Sequence, residues 1–561
     1  MNNQERENSD LDKERLEDIR SQMRALSDYL EERAISNVAQ VAYSTDGRSF
    51  DYEAPLTLSI PVGSYVHLRT AGGDEYLGQI FTKNIVKSEG AEITFVVDEQ
   101  HQDMLPDWLK STGTRGHLHI RSLAGRGVIL AKIVDRAYVA TSDTDAFQSA
   151  TIQLAESTLV DRYLTDTGHK RASLTIGKAS HIEGKAFVQL DAGGFNRHTF
   201  LCGQSGSGKT FSLGIILEQM LLETELRIVI VDPNSDFVRL NRLRPMEEVN
   251  RLRTKPLSAE EYSRLSERFR RAVAGLRVFR PTSLIDRPGD VLRVRLSDLS
   301  HQERGTILEL DPLKDREEYN AFWTMTEKFG SHDFSWNEVR QAIGGNYSSA
   351  ARLLGLRIEN LGVADWEVWC PPGEASLIDT LEGPDWRCMV LDIGTLGSRA
   401  EKSVITNAVL NYFWRHRNQR KPTLIVVDEA HNICPQEPAD EMQSISTSQM
   451  IRIAGEGRKF GLYLLLATQR PSKIHGNILS QCDNLILMRM NSTTDVAHLA
   501  GMLSHIPSSL MERATRFGLG ESLVAGRIVK NPVLAKFEGR LSEEGGSDVP
   551  TTWATPGRRS N

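Results

Sequence analysis

The chain has 561 residues, of which 40% are apolar and 25% charged, and its 67 Lys plus Arg stand against 74 Asp plus Glu for a net charge of −7. At ~100–200 residues per domain this composition supports three or four domains with real cores, and it excludes a wholly disordered or histone-like basic chain. Nucleic-acid binding stays open, because a basic channel can coexist with an acidic average.

Residues 1–37 are charge-dense. In them Leu16, Ile19, Met23, Leu26 and Leu30 recur at alternating spacings of 3 and 4, the pattern of one narrow apolar seam on a helix. Such a helix either packs on its own domain or docks a partner. Residues 38–165 change character. Alternating segments at Leu56–Ile60, Tyr65–Leu68, Ile93–Val97, His117–Ile120 and Val128–Ile133 read as short strands of a small β-barrel. Gly72-Gly73 and Gly125-Arg126-Gly127 read as the turns between them. His117 and His119 share a strand face but lack a third ligand, so they read as ordinary strand residues.

Residues 166–239 and 376–520 alternate apolar strands with helix-length stretches. The strands fall at His198–Cys202, Arg227–Val231, Cys388–Ile393, Leu424–Val427, Leu462–Ala467 and Leu485–Met488. This is the pattern of an α/β domain with a mostly parallel sheet. Residues 240–375 interrupt it and read as a helical insertion, for example over Glu260–Ala274. A short C-terminal segment follows at 521–541, and the polar residues 542–561 read as disordered.

The strongest chemical signal is Gly203-Gln204-Ser205-Gly206-Ser207-Gly208-Lys209-Thr210, a full G-x-x-x-x-G-K-[ST] match between an apolar strand and a helix. Glycines there let backbone N–H groups curl around phosphates, and the helix N-terminus adds partial positive charge. The expected nucleotide-binding set is Gly203, Ser205, Gly206, Ser207, Gly208, Lys209, Thr210 and Phe211. Lys209 would reach the β- and γ-phosphates of ATP, and the Thr210 hydroxyl would ligate Mg²⁺.

The strand Leu424–Val427 ends in Asp428-Glu429, where open α/β sheets place their ligands. Asp428 would hold the metal shell and Glu429 would polarise the attacking water. Gln469, at the end of another buried strand, would sense the γ-phosphate. Arg452 and Arg458 lie just before that strand, and either could serve as an arginine finger to a neighbouring subunit or simply solvate a helix end.

Five cysteines (Cys202, Cys370, Cys388, Cys434, Cys482) lie far apart with no C-x-x-C pair. This argues against a disulfide framework and for a reducing cytoplasm. Cys434 and Cys482 as metal ligands are the weaker alternative to small buried side chains. Apolar runs such as Leu462–Ala467 fall far short of the ~18 residues that span a bilayer, and the polar N-terminus does not read as a signal peptide.

Taken together, Arg197-His198-Thr199-Phe200, the P-loop, Asp232-Pro233-Asn234-Ser235-Asp236-Phe237, Leu424–His431, Arg452–Gly461 and Ala467–Pro471 resemble the HerA family, in the HerA/FtsK branch of additional-strand P-loop ATPases. The resemblance covers about residues 40–540. It implies a RecA-like core with an N-terminal barrel and a helical insertion, a homohexameric ring, and double-stranded DNA in a central channel. It also implies a NurA-like nuclease partner, or a sirtuin-like or other effector in antiphage defence. On the same ground Arg197 would contact nucleotide within the subunit, Arg452 would be the trans finger ahead of Arg458, and Lys530 and Asn531 would lie in a C-terminal segment that closes over the nucleotide. Arg415, Arg417, Arg420 and Lys421 read either as a solvated helix end or as candidates for the channel wall. The Asp232–Phe237 motif keeps the family's acid but shortens it. Two other functions share these motifs: a nucleotide-dependent ring scaffold for an effector enzyme, and a conjugation or secretion ATPase.

Overall fold

The computed structural model describes residues 40–546, apart from 97–114, 136, 140–144, 166–171, 181–185, 285–289, 331–332 and 346–347, together with Ser21 and Val38. The amphipathic stretch 1–37 lies outside the described residues except for Ser21. So do the side chains of His117 and His119. The chain divides into two compact units, residues 1–163 with 181–186, and residues 164–180 with 187–561.

The first unit holds β1 (Val41–Ser44), β2 (Ser49–Pro55), β3 (Tyr65–Thr70), β4 (Glu75–Ile80), β5 (Asn84–Val96), β6 (Arg115–Val134), β7 (Ala137–Val139) and β8 (Phe147–Leu154). Six of them pair in the order β2-β1-β8-β3-β4-β6, and β6 returns to β2, which closes a barrel. Phe50, Tyr52, Val66, Leu68, Tyr76, Ile80 and Ile152 fill it. Closure removes the free edges that an open sheet would expose.

Two local expectations are corrected. Leu56–Ile60 is not a strand: Leu58 N–H donates to Pro55 O at 3.0 Å, a turn that ends β2. Gly125-Arg126-Gly127 is not a turn but the middle of the long β6. There a Cβ on Gly125 would lie 2.0 Å from the Thr82 carbonyl oxygen, and one on Gly127 2.2 Å from the Phe50 ring. These glycines serve close approach inside the barrel rather than chain reversal.

The second unit is built on one sheet. Its strands are β9 (Ser173–Ala179), β10 (Phe187–Asp191), β11 (His198–Cys202), β12 (Arg227–Asp232), β13 (Leu276–Phe279), β14 (Cys388–Asp392), β15 (Thr423–Val427), β16 (Leu462–Thr468), β17 (Cys482–Met488), β18 (Glu521–Ala525) and β19 (Val533–Phe537). The order is β10-β9-β19-β18-β17-β11-β16-β15-β12-β14-β13. From β17 to β13 every neighbour is parallel, and from β17 outward to β10 every neighbour is antiparallel. Strands β11, β14 and β15 are buried at every residue, so their apolar runs Phe200–Cys202, Cys388–Leu391 and Leu424–Val427 lie inside the sheet together with the polar His198, Thr199, Asp392 and Thr423.

Within 240–375 helices run over Met246–Arg251, Ala259–Ala272, His301–Ile307, Arg316–Lys328, Trp336–Gly344 and Ser349–Leu361, and β13 adds a strand to the sheet edge beside β14. The C-terminal strands β18 and β19 are likewise members of the central sheet. Residues 542–546, expected to be disordered, pack against the core: Ser542 is fully buried. Among the described residues no helix is long and apolar enough to cross a membrane.

Candidate functional site

Because β11, β12, β14, β15, β16 and β17 are parallel, their C-terminal ends open on one edge. That edge gathers the P-loop after β11, Asp428-Glu429 after β15, Gln469 just beyond β16, and the Asp232–Phe237 loop after β12. Strand β16 lies between the P-loop strand and the Asp-Glu strand, so Gln469 projects from a strand flanked by both.

In the P-loop, Gly206 and Gly208 have φ of +70° and +93°, values that glycine adopts without steric cost. Ser205 and Gly206 form the exposed crest, whereas Gly203 and Ser207 are buried. Four backbone bonds fix the loop: Gly203 N–H to Thr468 O at 3.2 Å, Gln204 N–H to Arg489 O at 2.9 Å, Ser207 N–H to Gln204 O at 3.1 Å, and Gly520 N–H to Ser207 O at 3.0 Å. The helix Lys209–Glu223 begins directly after Gly208, and Phe211 is half-buried in its first turn.

Lys209 is buried and donates to Asp428 Oδ1, and its Nζ lies 3.0 Å from Glu429 Oε1. Burial alone would push its pKa down, but the two carboxylates outweigh that and hold it above the ordinary lysine value. Glu429 sits at φ 44°, a left-handed conformation that costs a non-glycine residue about 1–3 kcal/mol and recurs at functional sites. Its Oε1 accepts from Gln469 Nε2 at 2.8 Å, and its Oε2 lies 3.2 Å from His431 Nδ1. Burial would raise its pKa, but His431, Lys209 and Gln469 together hold it down at about 2.

The opposite wall is acidic. Asp232 is buried and accepts backbone N–H bonds from Asn234, Asp236 and Phe237 at 3.2, 3.1 and 2.8 Å, yet burial pushes its pKa up to about 7. Asp236 Oδ2 accepts from the Thr210 hydroxyl at 3.4 Å. Burial and the nearby Asp428 push Asp236 up to about 6. Asp428 Oδ2 is buried and has no hydrogen-bond partner among the described residues. This orphaned oxygen, with Asp236 near enough to feel its charge and the Thr210 hydroxyl bonded to Asp236, makes a donor set of the hard-oxygen kind that suits Mg²⁺.

The remaining expected residues do not join this cluster. Arg197, Arg458 and the turn 526–532 that carries Lys530 and Asn531 lie at the N-terminal ends of β11, β16 and β17, the opposite edge of the sheet. A strand of five residues separates the edges by roughly 17 Å, so Arg197 does not reach the P-loop of its own chain. Arg458 Nη1 donates to Asp483 Oδ2 at 3.0 Å, and Arg197 Nε lies 3.6 Å from the same oxygen. Between them His198 is buried, with Nε2 2.9 Å from Ala454 O and Nδ1 accepting from Leu464 N–H at 3.0 Å. Arg452 instead packs its guanidinium 5.5 Å from the Trp414 ring, which Arg417 also covers at 4.4 Å. Arg415, Arg420 and Lys421 are exposed. All five cysteines are buried thiols, and among the described residues no His, Cys, Asp and Glu group could hold a metal through them.

Two contributors were missed in the sequence. Arg489, directly after β17, donates from Nη2 to Gly206 O at 2.9 Å. Its only sequence signal is its place at a strand end. Arg540 is the other. It lies more than 300 residues from the P-loop helix it packs on, and no motif marks it.

A parallel sheet with a P-loop on one strand, an Asp-Glu pair two strands away and a glutamine strand between them defines a P-loop NTPase. A profile described as "Helicase HerA, central domain" matches residues 174–335. The DNA double-strand break repair helicase HerA of Sulfurisphaera tokodaii is 24% identical over 391 residues, 67% of this chain and 71% of that one. The enzyme of the same name from Pyrococcus furiosus is 26% identical over 382 residues, 61% and 65% of the two chains. Among solved structures, VirB4 of Thermoanaerobacter pseudethanolicus is similar at 16% identity and a TM-score of 0.44, over 65% of this chain and 96% of that one. Within the P-loop NTPases, the chain is HerA-like.

Proposed function

We propose that the chain is a ring-forming ATPase that couples ATP hydrolysis to movement of double-stranded DNA and works with a partner nuclease or other effector. The observation that carries the ATPase reading is Lys209, buried between Asp428 and Glu429 with Gln469 on the same glutamate. Bound phosphates would draw Lys209 away from the carboxylates, and the P-loop N–H groups would share the negative charge. Thr210 and Asp428 would hold Mg²⁺, which would supply neutralisation of phosphate charge. Released from Lys209, Glu429 is an ionised carboxylate able to orient and polarise a water, while Gln469 keeps contact with both the glutamate and the space beyond it.

The second edge of the sheet supports the ring. Arg197 and Arg458 converge on Asp483 too far from their own P-loop to act there. A neighbouring copy could offer them to the next subunit's γ-phosphate, and the turn carrying Lys530 and Asn531 lies on that same edge. The homologues named as DNA double-strand break repair helicases support the DNA substrate. Exposed Arg415, Arg420 and Lys421 are candidates for phosphate contacts. ATP hydrolysis measured against duplex DNA and salt tests the reading, because phosphate contacts make stimulation fall steeply as salt rises. Co-purification with the products of neighbouring genes, and plaque counts on cells with and without the gene, test the effector and defence roles.

A further inference from the structure

The C-terminal chain after β19 returns to the P-loop helix. Along that helix Thr210, Gly214 and Glu218 are spaced four apart, so they share one face. Arg540, fully buried, lies on this face. Its Nη1 donates to the Thr210 carbonyl at 3.3 Å and to Glu544 Oε1 at 2.7 Å, and its Nε lies 3.7 Å from Glu218 Oε1. The face has been hollowed for it: a Cβ on Gly214 would fall 2.5 Å from the Arg540 guanidinium carbon. Glu218 is also fully buried and accepts from Leu541 N–H at 2.8 Å, from Ser542 N–H at 2.7 Å and from the Ser542 hydroxyl.

The same segment then reaches the acidic wall. Gly545 N–H donates to Asp236 O at 3.0 Å, and a Cβ on Gly545 would fall 1.9 Å from Ser235 O. Ser235 itself sits at φ 61°. One short segment thus grips both members of the Thr210–Asp236 contact: the helix turn that presents the hydroxyl, and the loop that presents the acid. A buried Arg–Glu pair is a poor device for stability alone, because its desolvation cost rivals its attraction. Its placement on the turn that carries Thr210 gives it a different use.

We propose that residues 540–546 are a clamp acting within the subunit, which positions the Thr210–Asp236 side of the nucleotide site for Mg²⁺. In it Arg540 fixes the first turn of the P-loop helix and the Gly545 turn fixes the Asp232–Phe237 loop. The proposal rests on the reading of the site as nucleotide-binding. Arg540 is a positioning residue, because it touches neither substrate nor metal.

The test uses the full chain and a fluorescent ADP analogue, titrated in EDTA and in Mg²⁺. Gly545→Ala and Arg540→Lys should bind the analogue in EDTA within about twofold of wild type, yet lose about tenfold of the affinity that Mg²⁺ adds, the range of losses seen when supports of a metal site are removed. ATP turnover should fall by a similar factor with KM nearly unchanged. Glu544→Ala, at the partly exposed end of the clamp, should show the same signature more weakly, which guards against loss of fold in the buried variants. Wild-type Mg²⁺ gains in all three variants would overturn the clamp. So would equal losses with and without Mg²⁺, the mark of a merely structural role. A wild-type chain that binds no analogue in either condition would instead overturn the nucleotide reading, and the clamp with it.

Discussion

Replacing Lys209 should do more than abolish turnover: it should destabilise the nucleotide-free protein, and in a pH-dependent way. Lys209, Asp428 and Glu429 are 5%, 0% and 7% exposed as side chains, and the ammonium is the cation shared by the two acids. Lys209→Met keeps the volume and removes the charge. Two buried carboxylates are left facing each other, and breaking a buried pair in this way costs about 3–5 kcal/mol. The sign with pH follows from the causes. In the wild type Glu429 is held at about 2, below its unfolded value, so its contribution is present above the unfolded pKa and is lost only as pH falls towards 2. In the variant the lysine's pull is gone, while His431 and Gln469 still hold Glu429 down against burial. Its folded pKa therefore moves up from about 2 towards the unfolded value of 4.5, less of its stabilisation remains, and the gap between the two proteins widens as pH rises through that range. Denaturant unfolding of both proteins without nucleotide, at pH 3.5 and pH 8, reads the difference. A variant as stable as wild type at pH 8, with the same slope, would refute the coupling.

Three further outcomes follow from the geometry. If Arg458 acts on a neighbour's nucleotide, Arg458→Ala and Lys209→Met chains should each be inactive alone, and an equal mixture should regain activity at roughly a quarter of its interfaces; no recovery on mixing would place Arg458 in a structural role with Asp483. Burial pushes the Cys370 thiol up to about 11, those of Cys388 and Cys434 up to about 12, and those of Cys202 and Cys482 up as well, so a thiol reagent at pH 7.5 should label no cysteine in the native protein and five after denaturation. Burial lowers His198 to about 4, so the unfolded chain takes up a proton that the folded chain refuses. The stability of the second unit should therefore drop as pH falls from 6.5 to 4, and His198→Gln should flatten that limb.

The parts of the site that were legible in the sequence are those written in contiguous residues. The P-loop, Asp428-Glu429 and Gln469 each follow an apolar strand whose burial its own composition announces, and the parallel sheet brings them to one edge. What stayed hidden depended on strand direction and distance along the chain. Arg197 directly precedes the P-loop strand, but the strand itself carries it to the far edge, where it meets Arg458 and Asp483. Arg452 resembles a finger by position, and only the packing of Trp414 shows where its guanidinium lies. Gly125 and Gly127 look like a turn because glycine permits chain reversal and close approach alike, and the Phe50 ring and Thr82 carbonyl decide between them. Arg540 and Glu218 are 322 positions apart, and neither has a neighbour in sequence that hints at the other.

The proposed function has the Lys209–Asp428–Glu429–Gln469 cluster hydrolyse ATP to move duplex DNA. Phosphate release by wild type and Glu429→Gln, followed as linear duplex DNA is added at low and at high salt, tests it most directly. Wild type should turn over ATP faster with DNA, with the stimulation fading at high salt, while Glu429→Gln should bind a fluorescent ATP analogue normally and lose at least about 10²-fold in rate. Wild-type turnover that is absent, that ignores DNA at every salt concentration, or that survives in Glu429→Gln would contradict it.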